Sequence, residues 1–168
     1  MKGEFYERLN KRMRQIPYCS DILLVLSGGA TALVISLYIF SIFFLFISRD
    51  FRVLLITCPP LAGFILVSWI RSGFNMKRPY EKYDIIPLIE KKTEGNSFPS
   101  RHVFSAFVIG ASLIPVSIPL CLIIIFSGAL IGFCRVLSGV HFIVDVVFGA
   151  AFGSAFSMIF VILYYIKW

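Results

Sequence analysis

The chain has 168 residues, 58% of them apolar and 16% aromatic, with 18 phenylalanines and a mean hydropathy of +0.88. That exceeds what a soluble globule of this length can bury and excludes a disordered chain, so one multi-pass membrane domain spanning residues 1–168 is expected. The net charge is +7, but the basic residues sit between apolar runs. This excludes a nucleic-acid module with a solvated basic face and favours lipid head groups or phosphate as the anionic partner.

Residues 1–21 are polar and basic, and the apolar run behind them is too long for the core of a cleavable signal, so none is expected. Within 1–18, Phe5, Leu9, Met13 and Ile16 recur at helical spacing among Lys2, Arg8, Lys11, Arg12 and Arg14. The pattern predicts an amphipathic helix lying on the membrane surface. Ile22–Ile47 carries no charge and would be about 39 Å long as a helix, enough to span a bilayer. Arg49-Asp50-Phe51-Arg52 reads as a tight polar turn, and Val53–Ile70 as a second span kinked at Pro59-Pro60. Residues 71–102 form the only long polar stretch.

Val103–Phe133 would reach about 46 Å as one helix, too long for a bilayer. Pro115 and Pro119 in its middle predict two short helices joined there. Val140–Ile166 is the last span, with Tyr164, Tyr165 and Trp168 suited to an interfacial belt. The expected fold is therefore all-α: an integral membrane bundle of about five transmembrane helices plus the surface helix. Gly149, Gly153 and Ser157 provide a close-approach face. Packing within the chain is the expected use; an oligomer through Gly149 and Gly153 is possible but not expected. Cys19, Cys58, Cys121 and Cys134 show no paired spacing, and they read as small buried apolar residues rather than disulfide or zinc ligands.

Ionisable groups in or beside spans are costly and therefore functional candidates. They fall in three places. Arg71 and Arg78, with Pro79 expected to end the helix, are two turns apart and could face one anion together, where a phosphate suits bidentate guanidinium contacts. Ser97-Phe98-Pro99-Ser100-Arg101-His102 carries helix-start signals before an apolar run, hence free backbone N–H groups, a hydroxyl and an imidazole able to move protons near neutral pH. In Cys134-Arg135…His141…Asp145, the histidine and the aspartate are i and i+4 and can touch. Such a pair sets the imidazole tautomer and raises its basicity, leaving Nε2 as a nucleophile. Two helices after His102 return the chain to the same side, so the three segments can meet.

These segments resemble the three-part signature of the type 2 phosphatidic acid phosphatase (PAP2) superfamily of membrane lipid phosphatases: K/R-x6-R-P, then P-S-x-H, then S-R-x5-H-x3-D. Here they read Arg71…Arg78-Pro79, Pro99-Ser100-Arg101-His102 and Cys134-Arg135…His141…Asp145, all within 71–145. Cys134 replaces a common serine, Arg101 stands where glycine is common, and relatives often have six spans.

The resemblance implies that His141 attacks phosphorus to form a phosphohistidine, with Asp145 orienting it. His102 would protonate the leaving oxygen and then activate water. Arg71, Arg78, Ser100, Arg101 and Arg135 would hold the phosphate, with Lys77 as a helper, and neither metal nor cofactor is implied. The loop acids Glu81, Asp84, Glu90 and Glu94 suggest no tight two-metal cluster. The implied partner is a phosphorylated envelope lipid in the bilayer: lipid A 1-phosphate, phosphatidylglycerophosphate, undecaprenyl diphosphate or phosphatidic acid.

Two alternatives stay open: a lipid-to-lipid phosphotransferase on the same fold, and a non-enzymatic anion-binding membrane protein. The bacterial inner membrane is the implied location. Thirteen of the 16 Lys+Arg fall on the side of the N-terminus and the motifs, which the positive-inside rule would make cytoplasmic. The family usually places its site outside the cytoplasm, and that is the orientation the resemblance implies.

Overall fold

The computed structural model describes residues 2–83, 85–89 and 94–167; Asp84, Glu90 and Trp168 lie outside the described residues. Regular structure among the described residues is entirely helical: α1 (Lys2–Arg14), α2 (Cys19–Ile47), α3 (Arg52–Phe74), α4 (Pro79–Lys82), α5 (Arg101–Ser112), α6 (Ile118–Leu137) and α7 (Ile143–Lys167). Four of these are long and apolar enough to cross a membrane: α2, α3 with its extension to Lys82, α6 and α7. Their outward faces carry large apolar side chains, such as Phe43, Phe46, Leu61, Phe126 and Ile162. The charged groups instead turn inward, with Arg71, Arg78, His141 and Asp145 all buried. That inversion suits a hydrocarbon exterior, where an exposed charge is costly and an exposed Phe is not.

The helix expected as a further span, α5, has 12 residues and is about 18 Å long, short of a bilayer's thickness. It need not match the bilayer, because it sits in the middle, packed by α3, α6 and α7 and touched by α2. Gly149 and Gly153 of α7 allow this. A Cβ on Gly149 would lie 2.9 Å from Ser100 O, and one on Gly153 would lie 2.6 Å from Phe104 O, so only glycine lets the two backbones come this close. The small-residue face is therefore used within the chain. Phe104, Val108 and Val67 form a core cluster here, with Phe152 and Phe156 against it.

The break expected near Pro115 and Pro119 falls at Leu113–Ser117: Ser117 caps α6 by accepting the Leu120 N–H at 3.4 Å, and Pro119 occupies its first turn. This turn reaches the far end of the bundle, where Arg52 Nη1 donates to Pro115 O at 2.9 Å. The same guanidinium binds Asp50, with Nε 2.9 Å from Oδ2. Its hydrogen bonds hold the Asp50 carboxyl below the ordinary carboxylate range.

Two expectations need correction. Pro59 and Pro60 lie inside α3, within the expected second span, and the correction concerns its end. The helix stops at Phe74, because Asn75 adopts left-handed backbone (φ 39°, ψ 43°) and donates its N–H to Arg71 O. Asparagine tolerates that conformation. Pro79 therefore begins α4 rather than ending α3, and Arg71 and Arg78 do not share a helix. The second correction concerns cysteine: Cys19, Cys121 and Cys134 are buried, but Cys58 is exposed on the outer face of the bundle. Cys134, in the place of the signature serine, packs with Cys19 and Leu23.

The surface helix α1 folds back on the end of the bundle that holds the motifs. Asn10 Nδ2 and Arg14 Nη2 both donate to Ile86 O at 3.0 Å. Met13 packs towards Cys19 and Leu23, whereas Phe5 and Ile16 of the predicted apolar stripe stay exposed.

Candidate active site

Three backbone hydrogen bonds draw the motif segments together. Ser97 N donates to Met76 O at 2.8 Å, Ser100 N to Asp145 O at 2.9 Å, and Leu88 N to Ser138 O at 3.0 Å. They close a cavity of about 290 Å³ lined by Ser68, Arg71, Ser72, Arg78, Glu94, Asn96, Arg101, His102 and His141. Ser100 sits beside Gly149, six residues into α7 and so about 9 Å along that helix from its start.

His141 and Asp145 are each 1% exposed, with Nδ1 and Oδ2 3.4 Å apart. The pair is not on one helix face, as the spacing suggested. α7 begins at Ile143, so His141 precedes it and Asp145 lies in its first turn. The same Oδ2 accepts the Phe142 N–H at 3.0 Å and the Ser97 hydroxyl. With the Ser97 hydroxyl and the Phe142 N–H converging on it the carboxylate has a fixed orientation, and it holds the imidazole with Nδ1 towards the acid.

Ser97 is the residue that sequence reasoning passed over as a mere helix-start signal. Its partner is 48 positions away, and only a complete burial of its hydroxyl, visible in the fold, singles it out.

The arginines have two tasks. Arg71 holds the carbonyls of Asn96, Ser97 and Pro99. Arg78 Nε donates to Gly95 O at 3.0 Å, with Val140 O and Asn96 O within reach of its Nη atoms. Glu81 secures the same loop by accepting the Gly95 N–H at 2.9 Å. The two guanidiniums thus brace residues 95–99 while lining the cavity. Arg101 is exposed, with its guanidinium carbon 5.3 Å from the centre of the Phe64 ring.

Ser100, Arg135 and Lys77 are not in the lining. Ser100 is the N-cap of α5 without a side-chain cap bond, and among the described residues its buried Oγ and Arg135 Nε meet no hydrogen-bond partner. The Arg135 carbonyl receives the Val140 and His141 N–H groups at 3.1 and 3.2 Å. Lys77 opens instead onto another, mainly apolar hollow with Met76, Glu81, Tyr83, Phe142 and Asp145.

A second hollow, of about 270 Å³, reaches His102 and Arg101 from the side of the bundle, between Thr31, Val34, Phe64 and Ile109. Polar cavity and apolar flank together can hold an anionic head group whose body remains in the bilayer.

Residues 51–168 match the sequence model of the PAP2 superfamily. The structure is similar to the crystal structure of Aquifex aeolicus LpxE, with a TM-score of 0.73 and 26% identity over 94% of this chain and 93% of that one. It also resembles a transmembrane PAP2-type phosphatidylglycerolphosphate phosphatase from Bacillus subtilis, with a TM-score of 0.66 and 22% identity over 94% and 83% of the two chains. No curated protein sequence matches.

Proposed function

The chain belongs to the PAP2 superfamily of membrane lipid phosphatases, and from that premise we propose that it releases phosphate from an envelope lipid through a phosphohistidine. The observation that carries this reading is the buried His141–Asp145 pair facing a cavity shared with His102, Arg71, Arg78 and Arg101. With Nδ1–H held by Asp145, His141 Nε2 attacks phosphorus and the P–O bond to the lipid breaks. His102 gives its proton to the leaving oxygen. It then takes a proton from water, whose oxygen attacks phosphorus, breaks the P–N bond and frees inorganic phosphate. Arg71, Arg78 and Arg101, with Ser100 and Arg135 turning to the bound anion, stabilise the charge that spreads over the phosphoryl oxygens. No step draws on a metal or a cofactor. The lateral hollow supports a lipid substrate, since it offers the acyl body a path to His102 from the bilayer. The site faces the extracytoplasmic side of the inner membrane.

The test is phosphate release in detergent with EDTA from lipid A, phosphatidylglycerophosphate, undecaprenyl diphosphate and phosphatidic acid. The parent releases phosphate, His141→Ala does not, and the fastest lipid names the substrate. Equal release by both proteins would overturn the mechanism.

A further inference from the structure

The segment from Val140 to Ile143 carries the nucleophile and has almost no regular structure of its own. Its backbone is pinned by Val140 N and His141 N to Arg135 O, by Phe142 N to Asp145 Oδ2, and by Ile143 N to the Tyr6 hydroxyl at 3.1 Å. Of these N–H bonds all but the last are made within residues 135–145; on the carbonyl side Arg78 Nη1 also reaches Val140 O at 3.4 Å. Tyr6 comes from α1, 137 positions away.

The need for this contact is legible in helix chemistry. A helix leaves its first N–H groups without partners, and an N-cap side chain usually accepts one of them. Phe142 occupies the N-cap of α7 and has no acceptor. Asp145, three residues on, supplies half of a capping box by accepting the Phe142 N–H. Tyr6 supplies an acceptor for the next N–H from outside.

The phenol is held in place by its ring, which is 5.2 Å and edge-on to Phe142 and stacked 6.1 Å from Tyr83. Burial raises its pKa above the ordinary value although the Ile143 N–H pulls the other way, so it stays a neutral hydroxyl. Asn10 and Arg14 anchor the helix that bears it.

We propose that Tyr6 is a positioning residue: by accepting the Ile143 N–H it sets the start of α7 and so holds His141 against Asp145. The purpose of that placement rests on the phosphatase reading above; the cap itself does not.

Tyr6→Phe is the variant to test, because it keeps the ring contacts and removes only the acceptor. In the full chain in detergent, kcat should fall about fivefold, the effect of one hydrogen bond, with KM and melting temperature unchanged. Amide exchange should quicken across residues 140–146 and stay unchanged in α5. Parent-like kinetics and exchange would overturn the proposal. So would a raised KM with unchanged kcat, which would make Tyr6 a substrate contact. A kcat loss matched by faster exchange throughout the bundle would reduce Tyr6 to a general fold contact and overturn it as well. If the parent releases phosphate from no lipid, the phosphatase reading fails, and exchange over 140–146 alone decides the cap.

Discussion

Asp145 Oδ2 receives the Ser97 hydroxyl, the Phe142 N–H and His141 Nδ1. Asp145→Asn keeps the volume but replaces an acceptor of three donors by an amide with one weaker oxygen. We expect phosphate release to fall about 10³-fold, by comparison with the roughly 10⁴-fold loss when the triad carboxylate of serine proteases is neutralised. Folding should survive, as read by an unchanged gel-filtration profile; near-parent turnover would mean that the carboxylate does not direct the imidazole. His141, Asp145, His102, Arg71, Arg78 and Arg101 were legible because few charges interrupt the apolar chain and each stands out. Ser97 was not, since a serine in a loop has no pattern until its partner 48 residues on is known.

At the scale of elements, the close α5–α7 contact holds the helix that carries His102. Gly153→Val would drive its side chain into Phe104 O, which a Cβ would already approach to 2.6 Å. Overpacking of this kind costs about 1–3 kcal/mol. The variant should melt at lower temperature and lose phosphate release, because Ser100 and His102 ride on α5. Gly29→Ala on α2, where a Cβ meets nothing within 4 Å, serves as control and should leave both unchanged. The spans themselves were readable from run length and from the prolines. The end of α3 was not, because the stop is the backbone conformation of Asn75, and Pro79 four residues later looked like the natural terminator. Likewise the i, i+4 spacing of His141 and Asp145 suggested a helical pair, whereas the contact forms across a helix start.

For the whole molecule, α1 and the motif loops share one end of the bundle, joined by the Asn10, Arg14 and Tyr6 contacts. Arg49 and Asp50 mark the other, beside Pro115. In a cysteine-free background, Lys11→Cys and Glu94→Cys should react with an impermeant maleimide from outside intact cells, and Arg49→Cys only after lysis. The reverse pattern would put the site in the cytoplasm, as the distribution of Lys and Arg suggests; labels on Lys11 and Glu94 from opposite sides would contradict the bundle itself. The N-terminal helix was foreseen as amphipathic, but its apolar stripe is only half used: Met13 packs inward, while Phe5 and Ile16 remain exposed.

Sequence alone determined the membrane class, the helix count to within one short element, and the residues of the family signature, because a bilayer punishes every charge that has no task. Tertiary structure decided what those residues do for one another. It showed that Arg71 and Arg78 brace the 95–99 loop as well as lining the cavity, that Lys77 turns away from it, and that α1 closes the start of α7. Each of these depends on contacts between segments dozens of residues apart, and such contacts leave no periodicity in the chain to be read.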